Sequence, residues 1–198
     1  MNIICHRRNT AAELRATPTQ YGVEVDIRSQ GERLVIHHDP FVAGEDFEEW
    51  LQDYRHGTLI LNVKEEGLEA RLTKLMREHG RSDYFFLDQS FPFLVKWSRM
   101  GERRCAVRVS EFESIDTALA LAGSVDWVWV DCFTRFPLTR ASADRLTQAG
   151  FRLCLVSPEL QGRPAEAEIA SMRSMLASTG IGADAVCTKR PDLWLAPS

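Results

Sequence analysis

The sequence predicts an α/β fold, a small (β/α)8 TIM barrel with short loops and a truncated last helix. Two observations lead to this prediction. Short runs rich in β-branched and aromatic residues alternate with longer helical patterns along the chain, which is typical of repeated β–α units with a parallel sheet. Eight such runs can be counted, the number that closes this kind of barrel. A doubly wound open sheet is the alternative.

The strand predictions rest on short apolar runs in which β-branched or aromatic residues are frequent. In order, they cover Ile3–His6, Gly22–Arg28, Thr58–Lys64, Asp83–Asp88, Cys105–Ser110, Val125–Asp131, Arg152–Ser157 and Ala183–Thr188. An additional short run, Arg33–His38, follows the second strand after a Gln30-Gly31-Glu32 turn.

The helix predictions rest on apolar residues that recur every three or four positions. Leu68, Leu72, Leu75 and Met76, for example, form one apolar face. In order, the predicted helices cover Thr10–Thr17, Asp46–Tyr54, Leu68–His79, Phe91–Met100, Ser114–Leu121, Ala141–Ala149 and Glu166–Ser178. No linker or repeat divides residues 1–198, and a domain typically has about 150 residues, so we expect one domain.

The composition is that of an ordinary globular protein. Of 198 residues, 44% are hydrophobic and 26% are charged, and the formal net charge is −4. These values exclude a disordered or low-complexity chain. Non-specific nucleic-acid binding needs a surplus of positive charge, so we expect no nucleic-acid partner. No run approaches the ~20 apolar residues of a membrane span.

The cysteines indicate the cellular compartment. Cys5, Cys105, Cys132, Cys154 and Cys187 are odd in number, form no CxxC motif and lie in apolar, strand-like stretches. Such cysteines act as small buried hydrophobic residues in a reducing compartment. The first residues also lack the basic region of a signal peptide. We therefore expect a cytoplasmic protein.

Polar residues interrupt the predicted strands near their carboxyl ends, where a buried parallel strand should be apolar. Along the chain these residues are His6, Glu24, Asp26, Asn62, Lys64, Asp88, Arg108, Asp131, Glu159 and Lys189. Side chains alternate across a strand, so Glu24 and Asp26 share one face. The active site of a barrel lies at the carboxyl ends of its strands, so we expect these groups to converge.

Several of these residues also have a purely structural interpretation. Glu24 and Asp26 could pair with Arg28 or Lys64 in a buried ion-pair network. Asp88 could cap the helix that follows its strand, because aspartate is a favoured N-cap residue, and the same holds for Asp131. The sequence leaves these alternatives open.

Three motifs in the first forty residues resemble the glycerophosphodiester phosphodiesterase family, a group of phosphatidylinositol-phospholipase-C-like barrels. The motifs are Ile4-Cys5-His6-Arg7, Tyr21-Gly22-Val23-Glu24-Val25-Asp26-Ile27-Arg28 and Leu34-Val35-Ile36-His37-His38-Asp39-Pro40. Weaker similarities follow at Leu61–Lys64, Ser90-Phe91 and Ala183–Thr188. The resemblance implies a TIM barrel with phosphodiester hydrolase activity.

The resemblance also implies the acid–base pair. His6 and His38 would be the general acid and base, a role that suits histidine because its pKa lies near neutrality. His38 is preferred to His37 because it directly precedes the aspartate of the motif.

Further residues would handle the charge of the substrate. Arg7 would bind a phosphate oxygen, and the other candidate phosphate ligands are Lys64, Arg108 and Lys189. Glu24, Asp26 and Asn62 would hold a divalent metal, Mg²⁺ or Ca²⁺, because both ions prefer oxygen ligands.

The sequence departs from the family pattern in three places. Arg8-Asn9-Thr10 follows the His-Arg motif at once, so a loop glutamate of the family is missing. Asn62 stands where the family has a metal-binding glutamate, and Lys189 stands where it has an aspartate. The metal site would therefore bind weakly or be lost, unless Glu111, Asp131 or Glu159 compensates. Alternatively, cations such as Lys64 would act without a metal.

Three functions follow as hypotheses. The first is a phosphodiester hydrolase acting on a small-molecule or glycan-linked phosphodiester by His/His acid–base catalysis, assisted by a divalent metal. The second is a metal-independent, phospholipase-C-like cyclising lyase on the same barrel. The third is a non-catalytic sugar-phosphate-binding module.

Overall fold

The computed structural model describes residues 1–195, and its contacts divide the chain into two compact units. We call Ile4–Met100 the N-terminal unit, and Met1–Ile3 with the described chain from Gly101 onward the C-terminal unit. Strands and helices alternate in both, so the predicted mixed α/β class is confirmed. The single-domain organisation stays a prediction.

The N-terminal unit is built on a mainly parallel sheet. Its elements are the second half of β1 (Asn2–Cys5), α1 (Ala11–Ala16), β2 (Gly22–Gln30), β3 (Arg33–Ile36), β4 (Glu45–Asp46), α2 (Phe47–Asp53), β5 (Leu59–Val63), α3 (Glu69–Glu78), β6 (Tyr84–Leu87) and α4 (Phe91–Arg99). β2 pairs in parallel with β1 and β5, and β5 pairs in parallel with β6. The end of β2 forms an antiparallel hairpin with β3, which pairs with β4.

The strand β2 carries polar residues in the middle of the core. Its first six residues are buried, and they include Glu24 and Asp26. In the parallel register, Asp26 lies opposite Asn62 of β5. The strands meet closely at Gly22, since a Cβ atom there would lie 2.5 Å from the carbonyl oxygen of Thr58. Only glycine fits at this contact.

Side-chain caps define where the first two helices begin. The Thr10 hydroxyl accepts the backbone N–H of Glu13, while the Glu13 carboxylate accepts the N–H of Thr10, which forms a capping box before α1. The Asp46 carboxylate accepts the N–H groups of Glu48 and Glu49 at the start of α2. Each such cap typically stabilises a helix by about 1 kcal/mol, so these polar residues explain the sharp helix starts.

The C-terminal unit repeats the β–α pattern. Its further elements are β7 (Ala106–Val109), α5 (Ile115–Leu119), β8 (Trp127–Val130), α6 (Arg140–Gln148), β9 (Arg152–Val156), a 3₁₀ helix (Pro158–Gln161), α7 (Ala165–Thr179), β10 (Ala185–Thr188) and α8 (Pro191–Leu195). β7, β8, β9 and β10 pair in this order, all in parallel. Trp127 and Trp129 are buried, so the apolar run of β8 belongs to the core.

All eight predicted parallel strands are present, with ends that differ from the prediction by one or two residues. The two-residue strand β4 and the 3₁₀ helix are not predicted, because segments this short carry no periodic pattern. The five-residue helix α8 after β10 corresponds to the predicted truncated last helix. Closure of the strands into a barrel stays a prediction.

The five cysteines are buried and, within the described chain, form no disulfide, as the sequence predicts. Burial raises the pKa of the Cys132 thiol to about 12, so this thiol stays protonated at neutral pH. No helix among residues 1–195 has the length and apolar character needed to cross a membrane.

Candidate functional site

Glu24 and Asp26 form a buried pair of carboxylates on one face of β2, as the strand alternation predicts. The Oε1 atom of Glu24 accepts an N–H from Asn62 Nδ2 at 2.9 Å. Its Oε2 atom accepts the backbone N–H of Arg7 at 2.8 Å and lies 3.7 Å from His6 Nε2. Five of the predicted site residues are therefore close together, after the end of β1, within β2 and near the end of β5.

The environment of Glu24 favours its protonated form. Burial is the main cause that raises the pKa of Glu24 to about 7, and the negative charge of Asp26 adds to the effect. The N–H groups of Arg7 and Asn62 and the charge of Lys64 oppose it. Since this pKa lies near neutrality, both forms of the carboxyl group are populated at pH 7.

Asp26 is held by an amide and by two cations. Its Oδ2 atom accepts an N–H from Asn9 Nδ2 at 2.8 Å, and its backbone N–H donates to Asn9 Oδ1 at 3.0 Å. Arg7 Nε lies 3.4 Å from Oδ2, and Lys64 Nζ lies 3.2 Å from Oδ1. Lys64 Nζ also lies 3.2 Å from Asp88 Oδ2. The ion-pair interpretation of Asp26 is thus correct for Lys64.

Two of the structural alternatives are wrong. Arg28 does not pair with either carboxylate; its guanidinium donates to the carbonyl oxygen of His38 at 3.0 and 2.9 Å. Asp88 binds Lys64 rather than capping a helix, and the N-cap of α4 is Ser90. Asp88 has a φ of 59°, a left-handed conformation that ends β6 before the helix can start.

Asp39 orients the second predicted histidine. His38 Nδ1 lies 2.8 Å from Asp39 Oδ1, and this hydrogen bond is the main reason that the pKa of Asp39 is lowered. Asp39 is therefore an anion that accepts the Nδ1 proton, which leaves Nε2 of the neutral His38 ring as an acceptor. The neighbouring His37 contacts backbone instead, because its Nδ1 lies 3.0 Å from the backbone nitrogen and 3.1 Å from the carbonyl oxygen of Asp39.

A cavity of about 610 Å³ opens beside these residues in the N-terminal unit. Its lining includes Arg7, Asn9, Thr10, His37, His38 and Asp39. The structure thus brings the predicted phosphate ligand Arg7 and the predicted acid–base residue His38 to one cavity. His6 is not part of the lining; its ring lies near Glu24, and its side chain is 15% exposed.

The predicted metal ligands Glu24, Asp26 and Asn62 make contacts with one another and with neighbouring cations in this arrangement. No group of three or more His, Cys, Asp or Glu side chains within residues 1–195 is placed to hold a metal. Both oxygens of Glu24 already accept N–H groups. Asp26 Oδ2 accepts an N–H from Asn9, whereas Asp26 Oδ1 is buried without a hydrogen-bond partner among the described residues and lies 3.2 Å from Lys64 Nζ. Mg²⁺ and Ca²⁺ need about six or more oxygen ligands. Metal binding stays a prediction for experiment.

Asn62 is a poorer metal ligand than the glutamate that the family has at this position. Its amide N–H binds Glu24, and its Oδ1 atom is buried with no hydrogen-bond partner among the described residues. A glutamate at this position would offer two oxygens and no donor. Compared with that glutamate, the Asn62 side chain has one possible ligand oxygen fewer and carries N–H groups in its place.

The two remaining predicted phosphate ligands, Arg108 and Lys189, belong to the C-terminal unit. Arg108 Nε lies 3.9 Å from Asp131 Oδ2. The backbone N–H of Lys189 donates to Glu159 Oε1 at 2.9 Å. Their contact with a phosphate stays a prediction.

The carboxylates that were considered as compensating metal ligands have other partners. The Glu111 carboxylate accepts the backbone N–H groups of residues 133–135. Asp131 Oδ1 accepts the N–H of Cys132 and a side-chain N–H of Gln161. Glu159 binds Thr188 and the backbone of Lys189. Among the described residues, these three carboxylates hold loops in place.

Two residues of the site were not among the predicted ones. Asn9 belongs to the shortened loop after the His-Arg motif, and its amide contact with Asp26 is visible only in the structure. Asp39 was used only to choose between the two histidines. Asn9 forms a hydrogen bond with Asp26, and Asp39 forms one with His38. The periodicity of the sequence does not indicate either contact.

No family model and no curated sequence matches the chain. Among solved structures, a glycerophosphodiester phosphodiesterase from Agrobacterium tumefaciens matches with a TM-score of 0.66 and 15% identity over 98% of both chains. A mutant tryptophan synthase alpha-subunit from Pyrococcus furiosus matches with a TM-score of 0.55 and 11% identity, over 94% of this chain and 85% of the other. At these identities the likeness concerns the fold.

The motif resemblance and the structural comparison agree at the level of the fold. The motifs lie in the first forty residues, whereas the structural likeness extends over nearly the whole chain. The chain therefore has the fold of a glycerophosphodiester phosphodiesterase, with a strongly diverged sequence.

Proposed function

We propose that the chain cleaves small-molecule or glycan-linked phosphodiesters, with His6 and His38 as the acid–base pair and Arg7 as a phosphate ligand. The observation that supports this most is the cavity of about 610 Å³ that both Arg7 and His38 line. The fold similarity to a glycerophosphodiester phosphodiesterase supports the reaction class.

The chemistry of the site suits this reaction. Phosphodiester cleavage needs a base for the attacking oxygen, an acid for the leaving oxygen and positive charge around the phosphate. His38 has an acceptor nitrogen at Nε2 because Asp39 holds the proton on Nδ1. Glu24 lies 3.7 Å from His6 Nε2, close enough to stabilise a protonated ring at that position.

Metal-independent cleavage to a cyclic phosphate is the second candidate. It is favoured by one observation, the pairing of Asp26 with Arg7 and Lys64, which places side-chain cations at the carboxylates predicted to bind a metal. A hydrolase that uses Mg²⁺ or Ca²⁺ would have to displace these cations from Asp26.

Phosphorus NMR on a panel of phosphodiesters tests the proposal. The purified protein is incubated with Mg²⁺, with Ca²⁺ and with EDTA, and the products are identified from their resonances. Cleavage that needs a metal supports the hydrolase, and cleavage in EDTA that yields a cyclic phosphate supports the lyase. Shifted ligand resonances without turnover under all conditions would contradict both and favour a binding module.

Substitution of the adjacent histidines sharpens the assay. We expect His38→Ala to lower the rate by about 10²-fold or more, which is typical for loss of an acid or base. His37→Ala is the matched comparison, because His37 lines the same cavity but uses its Nδ1 to bind backbone. The exposed His79 provides a remote control. Equal effects at residues 37 and 38 would contradict the assignment.

A further inference from the structure

The loop between β3 and β4 runs along one border of the cavity of about 610 Å³ in the N-terminal unit. Residues 37–39 at the start of this loop belong to the cavity lining, and so do residues 43 and 44 at its end. Between them lie Phe41 and Val42, which we call the loop tip. The chain therefore leaves the lining just before the loop tip and returns to it directly afterwards.

The loop tip is apolar and exposed. Val42 is 47% exposed, and the exposure of Phe41 reaches 105%, so its ring packs against no other described residue. Burial of a phenylalanine side chain typically stabilises a fold by about 2 kcal/mol. This contribution is absent at Phe41. Packing of the fold therefore does not explain the aromatic ring at this position.

The backbone of Phe41 is also in an unfavourable conformation. Its φ is 63°, in the left-handed region that residues with a bulky side chain rarely adopt. Glycine or asparagine would take this conformation at a lower cost. Backbone strain of this kind is concentrated at functional sites, including ligand-binding sites. Contact of the ring with a ligand would explain why a phenylalanine stands at this point of the loop.

The cavity beside the loop tip has polar and apolar lining residues. Arg7 and Asn9, from the segment after β1, carry side-chain N–H donors. Ile36 and Ala43, from the segment that carries the loop tip, are apolar. Ligand cavities commonly combine apolar residues with a few polar groups that fix the orientation of the ligand. A ligand with an anionic group and an apolar group would match both kinds of residue.

The carboxylates of the lining already have donors within the protein. Glu13 accepts the backbone N–H of Thr10 at 3.0 Å, and Glu45 accepts that of Ala11 at 2.7 Å. Asp39 binds the neighbouring histidine ring at 2.8 Å. A positively charged group on the ligand is therefore not needed to balance these carboxylates.

We propose that Phe41, together with Val42, determines substrate specificity by contacting an apolar alcohol group of the phosphodiester whose phosphate group is bound in the cavity. The inference deepens the proposed function and rests on it. Within the small-molecule phosphodiesters, it names those of an aryl or alkyl alcohol as the substrate class. Phe41 binds the alcohol group and takes no part in breaking the bond to phosphorus.

Calorimetric titration with diphenyl phosphate and dimethyl phosphate tests the proposal, because the two diesters carry the same negative charge and differ in their alcohol groups. We expect the wild type to bind diphenyl phosphate about tenfold more tightly, and Phe41→Asn to lose this preference, because the contact with the aromatic ring is lost. Phe91→Asn is the matched control, since Phe91 is half-exposed on α4 and does not line the cavity. Equal wild-type affinities, or an unchanged preference in Phe41→Asn, would overturn the proposal.

Thermal melts and a conservative variant separate ligand contact from a structural role. We expect Phe41→Asn to melt no lower than the wild type, because asparagine tolerates the left-handed backbone and the ring packs against nothing. Phe41→Leu should keep most of the preference, since it retains apolar surface. A lower melting temperature of Phe41→Asn would show that the ring supports the fold and would contradict the inference.

Turnover of the same two diesters distinguishes this inference from the proposed function. If neither diester is cleaved but the preference is present and is lost in Phe41→Asn, the proposed cleavage is refuted and the assignment of Phe41 to ligand binding is supported. If both are cleaved and Phe41→Asn leaves the ratio of their kcat/KM values unchanged, the inference is refuted alone.

Discussion

Carboxylates near the ends of strands have different partners in the two units. In the N-terminal unit, Asp26 is paired with the side-chain cations of Arg7 and Lys64. In the C-terminal unit, Glu111 is surrounded by backbone N–H groups of residues 133–135. Glu159 likewise accepts a backbone N–H, that of Lys189. Carboxylates of the two units therefore have different kinds of partner, side-chain cations for Asp26 and backbone N–H groups for Glu111.

The difference matters because the two kinds of partner respond differently to a ligand. The side chain of Arg7 lines a cavity and can also donate to a ligand there, whereas the N–H groups of residues 133–135 already donate to Glu111. The pKa values of Glu24 and Glu111 also differ between the two units. Burial and Asp26 raise the pKa of Glu24 to about 7. Although burial also raises the pKa of Glu111, the N–H groups of Arg135 and Thr134 prevail and lower it to about 2.

The largest effect on the free energy of unfolding is expected for Lys64→Met. It leaves Asp26, which is fully buried, without its partner at 3.2 Å on Oδ1. Loss of one member of a buried pair typically costs about 4 kcal/mol of the free energy of unfolding. Urea denaturation measures this loss. Adding Asp26→Asn should recover part of it, and additive losses in the double variant would show that the two residues are not coupled.

The next effect is a pH dependence of stability due to Glu24. Its pKa is higher in the folded protein than the ordinary value of 4.5, so the folded chain binds more protons between pH 4.5 and about 7. The free energy of unfolding should therefore fall by about 3 kcal/mol as the pH rises through this range. Urea denaturation of wild type and Glu24→Gln at several pH values tests it; the variant should lack this slope.

A smaller effect on stability is expected for Glu111, and its pH dependence is opposite to that of Glu24. Its pKa is lowered to about 2, so its stabilising contribution is present above the ordinary value of 4.5 and is lost as the pH falls towards 2. Glu111→Gln keeps the shape but weakens the hydrogen bonds to backbone, at a cost of about 1 kcal/mol at neutral pH. An unchanged acid transition in thermal melts of the variant would refute this role.

The smallest effect is expected for Lys74→Met on α3. Lys74 and Glu78 are exposed and 3.8 Å apart at positions i and i+4. Such surface pairs contribute about 0.3 kcal/mol. Urea denaturation should show a change close to the error of measurement. If Lys74→Met lowered the free energy of unfolding as much as Lys64→Met, the expected difference between the exposed and the buried ion pair would be wrong.

Much of the fold could be predicted because the signals are local. The eight parallel strands follow from runs such as Leu59–Val63, in which apolar residues recur without a helical period. The predicted helices at Asp46–Tyr54 and Leu68–His79 also correspond to α2 and α3. Alternation along β2 was sufficient to place Glu24 and Asp26 on one face.

The partners of the site residues could not be predicted in the same way. Asn62 and Lys64 are two positions apart in the sequence, yet Asn62 binds Glu24 and Lys64 lies beside Asp26. This choice depends on the register of β2 against β5, which pairs Asp26 with Asn62. Likewise, Glu111 resembled a free carboxylate in the sequence, and only the loop at residues 133–135 gives it its partners.

The sequence by itself determined the order of strands and helices and the types of reactive group, because periodicity and residue chemistry are properties of neighbouring positions. The tertiary structure decided which donor satisfies each buried carboxylate. That outcome depends on distances of about 3 Å between residues far apart in the chain, such as Asn9 and Asp26. Burial then fixed the charge of each group, since the cost of a buried charge depends on its partners.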